Sequence, residues 1–384
     1  MRVLFAAGSF SSGGIADYGR LLAHAFQTRG HSVAFLALAD PGGKAVQEER
    51  LTLDAGEAPL LRLPAGRGDA ASTKQARDWI AGQQSDWVSL QFNPFALQPR
   101  GFLWEKRREL TALLRGLRLQ IMVHEIWLGI ADQRGWKPRL LGRLQKPAIT
   151  GLLRDLRPRL LQTSNPYYQD LLGEAGLAAG ILPLYGNLIP VQQDRQAELR
   201  LLGESDGAES TFRLGLFSGQ RGERLPSALI LELRDYAAER GQRLAVYSAG
   251  RAPGIDALFE GWRRHCPEAA FTVLGEQPEA ELSRFMQAMD AALTHYPYYL
   301  CGKSGVAAAW LEHGVPLLTT WGDLTPGEAP VPPDVLPLLR HPGEPPGEFL
   351  ARQGPRQPRG HRLAEVADQL LEEMEAADSQ ASKS

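Results

Sequence analysis

The sequence predicts an α/β protein built from two doubly wound, parallel-sheet halves, and three observations carry that reading. The chain opens on a strand–loop–helix–strand run over residues 2–39, with short connections. After a polar stretch at 191–211 the same alternation restarts at Phe212. A further strand–loop–helix–turn–strand unit then fills 291–320. Short apolar strands alternating with amphipathic helices are the pattern of a parallel sheet covered on both faces.

Each element has a local reason. Residues 2–7 (RVLFAA) read as a buried strand, 8–14 (GSFSSGG) as a loop of small residues, and 15–28 as a helix with Ile15, Leu22 and Ala25 apolar. Gly30 closes that helix, and 31–39 (HSVAFLALA) is the second strand. Residues 40–69, rich in Gly, Pro and charge, read as a long excursion with one short strand at 60–63. Strands follow at 86–91 (DWVSLQ), 119–123 (LQIMV), 158–162 and 181–184. In the second half, 212–217, 243–248 and 270–274 are strands, and 226–240 is a helix with Leu229, Leu233 and Tyr236 inward. A helix at 278–288 precedes the 291–320 unit. Residues 341–358 read as a Pro- and Gly-rich link, 363–376 as a charged helix, and 378–384 as a disordered tail. The expected organisation is therefore 1–190, a linker at 191–211, 212–345, and an appended 346–384.

Composition narrows the functional class. Cys266 and Cys301 are the only cysteines, with no CxxC, so neither a disulfide framework nor a zinc site is expected, and a reducing compartment is. The N-terminus lacks the basic start and long apolar run of a signal peptide, and no apolar run approaches the ~20 residues of a membrane span. The net charge of -2 hides an asymmetry: from Arg100 to Arg159 there are 14 Lys and Arg against 5 Asp and Glu. That excess suits an anionic membrane surface. Nucleic acid is not expected, because basic and aromatic residues do not interleave as on an RNA-binding platform.

The chemistry gathers in 291–320. Ser304 suits a helix N-cap between Lys303 and Gly305, and Gly314 with Pro316 ends the helix. Free N–H groups, the helix dipole and the Lys303 charge favour an anion at that helix start, which we read as the seat of a diphosphate. His124 and Glu125 fall at the carboxyl end of the 119–123 strand, the edge where open α/β sheets bind ligands. The glycine loop at 8–14 lacks the G-x-G-x-x-G fingerprint of dinucleotide binding, although Asp40 stands where a ribose-binding acid would.

Together these residues resemble the nucleotide-sugar glycosyltransferases of the GT-B fold, and within them the large retaining family four. The run Ser12-Gly13-Gly14-Ile15-Ala16-Asp17-Tyr18-Gly19, continuing to Val33, is the most recognisable element. Val123-His124-Glu125, the Ser164-Asn165-Pro166 turn, Pro183 with Gly186-Asn187, and Gly314-Val315-Pro316 also match, so the resemblance spans nearly the whole chain. It implies two Rossmann-like domains, the first for the acceptor and the second for the donor, with a cleft between them. It implies a nucleoside diphosphate sugar as co-substrate with no separate cofactor, and a glycan or lipid-linked acceptor. It places Gly13 and Gly14 over the donor diphosphate and His124 beside the transferred sugar. Arg221, Arg224 or Arg251 would join Lys303, Ser304 and Gly305 on the phosphates. Asp17, Tyr18 and Glu125 would edge the acceptor site, and loops at 40–69 and 129–150 would shape it.

One departure is plain. Many members carry Glu-x7-Glu in the donor region, and counting back from Pro316 puts those carboxylates at Cys301 and Ala309. Three readings follow. The first is a glycosyltransferase, metal-free because no Asp-x-Asp is present, retaining by resemblance, cytoplasmic or peripheral on the inner membrane face. The second is a non-catalytic nucleotide-sugar or glycan-binding relative with a degenerate donor site. The third is an NAD-linked or phosphosugar enzyme of similar architecture.

Overall fold

The computed structural model describes the chain from Met1 to Ala381 apart from residues 12, 67–68, 131–135, 205–209, 220–224, 321–328 and 356. The chain divides into two units: Met1–Pro183 together with Leu363–Ser384, and Leu184–Arg362.

The first unit contains β1 (Arg2–Ala7), α1 (Gly14–Thr28), β2 (Ser32–Asp40), β3 (Gln47–Leu53), β4 (Gly56–Pro64), α2 (Ala70–Gln83) and β5 (Trp87–Phe92). It continues with α3 (Pro94–Leu97), α4 (Trp104–Leu114), β6 (Leu119–Val123), α5 (Trp136–Leu156), β7 (Leu160–Thr163), α6 (Pro166–Glu174) and β8 (Gly180–Ile181). The sheet order is β3-β4-β2-β1-β5-β6-β7-β8. Every pairing is parallel except the β3–β4 hairpin at one edge. β1, β5 and β6 are buried along almost their whole length, as strands covered on both faces must be.

The second unit contains α7 (Arg195–Leu201), β9 (Thr211–Phe217), α8 (Ser227–Ala238), β10 (Arg243–Ala249), α9 (Ile255–His265), β11 (Ala270–Gly275), α10 (Glu279–Ala288), β12 (Ala291–Thr294), α11 (Gly305–Glu312), β13 (Leu317–Thr319) and α12 (Pro346–Ala351). Its five strands are all parallel, in the order β11-β10-β9-β12-β13. Gly215 lies at its centre, where a Cβ would meet Met289 Cγ and Trp310 Cη2 at 2.6 Å.

The last helix, α13 (Leu363–Ala381), returns to the first unit. Val366, Ala367, Leu370, Leu371 and Met374 recur at three- and four-residue spacing and are buried. Burial of each large apolar side chain stabilises by roughly 1.5–3 kcal/mol. Near its end Asp378 accepts from Trp87 Nε1 at 3.1 Å.

Several expectations need correction. The tail predicted as disordered is helical from 378 to 381, anchored by that Asp378 contact, and 382–384 lie outside the described residues. The appended 346–384 segment is not one body: α12 buries Phe349 and Leu350 in the second unit, whereas α13 belongs to the first. Residues 191–211 are no plain linker, because α7 lies within them and Glu204 pairs with the buried Arg213 of β9. The 40–69 excursion holds the β3–β4 hairpin, and most of 129–150 is α5. In α8 Ile230 and Ala237 join Leu229 and Leu233 in the core, and Tyr236 packs half-buried against it with its ring edge-on to Phe212, while the same ring meets the Arg240 guanidinium.

Candidate functional site

In the first unit the candidate residues collect at the carboxyl end of the sheet. Gly13 has φ 104 and caps α1, a backbone shape that glycine adopts without strain. Gly13 and Gly14 are exposed, and a Cβ on Gly13 would meet nothing within 4 Å. Four residues on, Tyr18 is buried and stands edge-on to the His124 ring, centroids 4.9 Å apart. His124 follows β6, its N–H donating to Phe92 O at 3.0 Å and its Nε2 lying 2.9 Å from Gln91 Oε1. An amide oxygen only accepts, so with Gln91 in this orientation the bond requires the proton on Nε2. Glu125 accepts from the buried Tyr168 hydroxyl at 2.9 Å. Asp17 pairs with Arg20 on its own helix.

A cleft of about 850 Å³ opens beside the ends of β1, β2 and β4. Ser9, Ala39 and Ala65 line it together with Phe95, Leu97, Phe102 and Trp104. Asp40 does not serve a ribose here. It is buried, paired with Arg62, and accepts from Gly42 N at 3.0 Å.

In the second unit Lys303 ends a 3-10 turn over Tyr298–Lys303, and Ser304 caps α11. Its Oγ accepts from Ala307 N at 3.2 Å, and its carbonyl takes the first intrahelical bond from Ala308 N at 2.9 Å. The N–H groups of Gly305 and Val306 are then left without an intrahelical acceptor. Gly305 admits a close neighbour: a Cβ there would stand 2.6 Å from Asn187 Oδ1. Arg251 is exposed just past β10, after Gly250 with φ 81. Arg221 and Arg224 lie outside the described residues.

The two positions lacking the expected carboxylates are filled by packing. Cys301 is fully buried, burial pushes its thiol up, and its Sγ donates to Pro297 O at 3.6 Å. Ala309 is fully buried against Gly186, where a Cβ would lie 2.7 Å from Ala309 Cα. The carboxylate of this helix lies three residues later instead. Glu312 is buried and accepts from Gly186 N at 3.1 Å with each oxygen, and from Arg362 N at 3.3 Å. Beside it burial pushes His313 down to about 4, so the ring is neutral, with its Nδ1 against Ala309 O and its Nε2 against Ser283 Oγ.

Sequence reasoning missed Gln91, which holds His124, and Asn187, which covers Gly305. The signal for Gln91 was present: polar residues alternate in the otherwise apolar strand WVSLQF. In the sequence Asn187 stands out only within the Gly186-Asn187 pair, with no sign of its contact to Gly305.

No family model matches the chain, and no curated protein matches it at the significance required. Solved structures match along nearly its whole length. The catalytic domain of starch synthase IV from Arabidopsis thaliana, bound to ADP and acarbose, aligns at TM-score 0.54 with 14% identity, over 98% of this chain and 99% of that one. UDP-GlcNAc 2-epimerase from Neisseria meningitidis, bound to UDP-GlcNAc, aligns at 0.54 with 11% identity, over 97% and 99%. A UDP-forming trehalose-phosphate synthase from Burkholderia xenovorans aligns at 0.51 with 10% identity, over 98% and 95%. The chain thus has the GT-B fold, two Rossmann-like units joined in one polypeptide.

Proposed function

We propose that this protein is a glycosyltransferase that moves a sugar from a nucleoside diphosphate to a glycan or lipid-linked acceptor. The observation that carries the proposal is the start of α11. Lys303, the Ser304 cap and the Gly305 and Val306 N–H groups stand together beyond the carboxyl end of β12, on a fold whose neighbours were solved with ADP and UDP-GlcNAc. When the glycosidic bond to the donor breaks, negative charge grows on the β-phosphate oxygen. A helix amino end with an adjacent ammonium stabilises that charge without moving. Arg251, and Arg221 or Arg224, are the further cations of this proposal. In this reading transfer is metal-independent, in keeping with the lack of an Asp-x-Asp motif, and retaining, a point that rests on the family resemblance alone. His124, with Tyr18 against it, is the group proposed to face the reacting sugar.

The test is direct. UDP, GDP or ADP is expected to raise the melting temperature, and at a hundred times the dissociation constant to add about 2.7 kcal/mol, while NAD adds nothing. Transfer or slow hydrolysis of a sugar nucleotide should then be measurable. Stabilisation by NAD alone would overturn the assignment. Binding without turnover across a donor panel would instead favour the second reading, a non-catalytic sugar-nucleotide or glycan binder. The buried Cys301 and Ala309, which leave no carboxylate for the donor, are what favour that reading.

The acceptor side carries an apolar character. The Phe95–Phe102–Trp104 cleft suits an apolar aglycone, and α5 offers a surface where lipid would be found. Trp136, Leu140 and Leu144 are 68, 47 and 52% exposed. At 100° per residue they form one stripe opposite the buried Gly142, Gln145 and Ile149. Lys137 lies on one side of it and Arg139, Arg143 and Lys146 on the other. Elsewhere the basic region is partly neutralised: Lys106 pairs with Glu109, Arg107 with Asp155, and Arg118 and Arg159 with Asp378. An apolar stripe flanked by cations fits an anionic bilayer surface, and the proposed location is the inner face of the membrane. No helix among the described residues is long and apolar enough to cross one. Sedimentation with phosphatidylglycerol vesicles is expected to carry the protein down at low salt. Leu140→Asp with Leu144→Asp should abolish this, and phosphatidylcholine should not support it. Binding that ignores salt and lipid charge would remove the idea.

A further inference from the structure

Parallel strands covered on both faces are normally apolar throughout. Three neighbouring strands of the first unit break that rule on one face. Ser89 and Gln91 of β5, Gln120 of β6 and Gln162 of β7 are each at most 1% exposed. They form a single file. Gln91 Nε2 donates to Ser89 Oγ at 2.8 Å, and Ser89 Oγ donates to Gln120 Oε1 at 2.6 Å. Gln120 Nε2 donates to Gln162 Oε1 at 2.9 Å, and Gln162 Nε2 donates to Glu373 Oε2 on α13 at 2.7 Å. The other Glu373 oxygen accepts from Gln369 Nε2 at 2.8 Å. The file begins at His124, whose Nε2 lies 2.9 Å from Gln91 Oε1.

Every bond in this file points the same way. An ionised carboxylate can only accept, so Glu373 obliges Gln162 to present its NH2 group. Gln162 then offers only its oxygen to Gln120, which turns Gln120, and through the Ser89 hydroxyl turns Gln91. The oxygen of Gln91 is left for His124. Reversing any one link would set two acceptors or two donors face to face in a dry interior, at the cost of a buried unmade hydrogen bond. We propose that Glu373, acting through Gln162, Gln120, Ser89 and Gln91, is a positioning residue for His124. Whenever the imidazole is neutral, it holds the ring as the Nε2–H tautomer, with Nδ1 the acceptor. The catalytic consequence rests on the reading that His124 faces the reacting sugar; the tautomer itself does not.

The experiment reads the tautomer first. Long-range nitrogen–proton NMR of protein labelled at histidine should show His124 in the wild type as a single Nε2–H form at neutral pH. In Glu373→Gln the terminal group can donate as well as accept, and the single form should give way to a mixture. In the double variant Gln162→Glu with Glu373→Gln the carboxylate is moved one link inward, still accepts from Gln120, and should restore the wild-type spectrum. Transfer should follow the spectrum: kcat falls at least about tenfold in Glu373→Gln with the donor KM little changed, and recovers in the double variant. A wild-type His124 protonated on Nδ1 overturns the proposal whether or not the variants fold. So does a folded Glu373→Gln whose His124 spectrum is unchanged. A spectrum that responds as expected while transfer does not would uphold the positioning by Glu373 and remove His124 from the reacting sugar.

Discussion

Lys303→Ala is expected to lower kcat for sugar transfer by about 10²–10³, the scale of losing one fixed group, about 2.7–4 kcal/mol, that stabilises charge in the transition state. The site explains why the loss falls on kcat. In the proposed reaction the donor arrives with its phosphates already charged, and the N–H groups of Gly305 and Val306 would hold them in ground and transition states alike. The Lys303 ammonium matters most when the β-phosphate oxygen takes up the bonding electrons. Lys303→Arg keeps the charge but changes its reach and should recover part of the rate. Ser304→Ala makes a useful contrast. Its Oγ already serves Ala307 N, so its removal should cost about 1 kcal/mol of stability through the lost cap. Steady-state kinetics of the three variants, alongside their melting temperatures, separate the roles. A Lys303→Ala enzyme within about threefold of wild type would show that the leaving phosphate is stabilised elsewhere.

Glu312→Ala is expected to destabilise the second unit by about 3 kcal/mol, which for a body of this size lowers its melting temperature by roughly 6–12 °C. The buried carboxylate takes the backbone N–H of Gly186, where the chain has just entered the unit, and of Arg362, where it is about to leave. His361 Nε2 stands 3.7 Å from the same carboxylate and 2.7 Å from Gly186 O. Alanine would take this acceptor from the buried Gly186 N–H and the partly buried Arg362 N–H and open a void at once. Glu312→Gln keeps one acceptor oxygen and should cost less than half as much. Calorimetric scans of both variants check this, and a shift under about 2 °C for alanine would mean that the segments hold without the carboxylate.

Much of this architecture was legible in the sequence because local and global preferences agree. The β1–α1–β2 run, the restart at Phe212 and the Gly314–Pro316 stop all follow from residues whose only good conformation is the one they adopt. Gly314 has φ 71, and a Cβ there would stand 2.2 Å from Gln357 O. What could not be read had competing signals. β3 is an edge strand, and its Glu48, Glu49 and Arg50 point to solvent, so charge disguised it as loop. α5 carries Pro147 in its interior and Gly142 where it packs on Leu128, two residues that argue locally against a helix. The charged end of α13 looked like a tail because its partners, Trp87 and Arg118, lie some 260 or more positions away.

The candidate site divides in the same way. Ser304 as cap and His124 at a strand end were readable, since each depends on immediate neighbours. The packing of Cys301 and Ala309 in place of carboxylates was not, because their burial is set by the tertiary fold, as where Ala309 meets Gly186, more than a hundred residues upstream.

The return of α13 to the first unit has a consequence for how the protein is made. The ribosome delivers β1 through β8 first, then the whole of Leu184–Arg362, and only afterwards the helix that covers the first sheet. Until α13 has been made, that sheet waits with its Gln162 face unsealed, while the preceding half of the chain can already mature. Truncation before Leu363 would therefore injure the part of the molecule that was translated first.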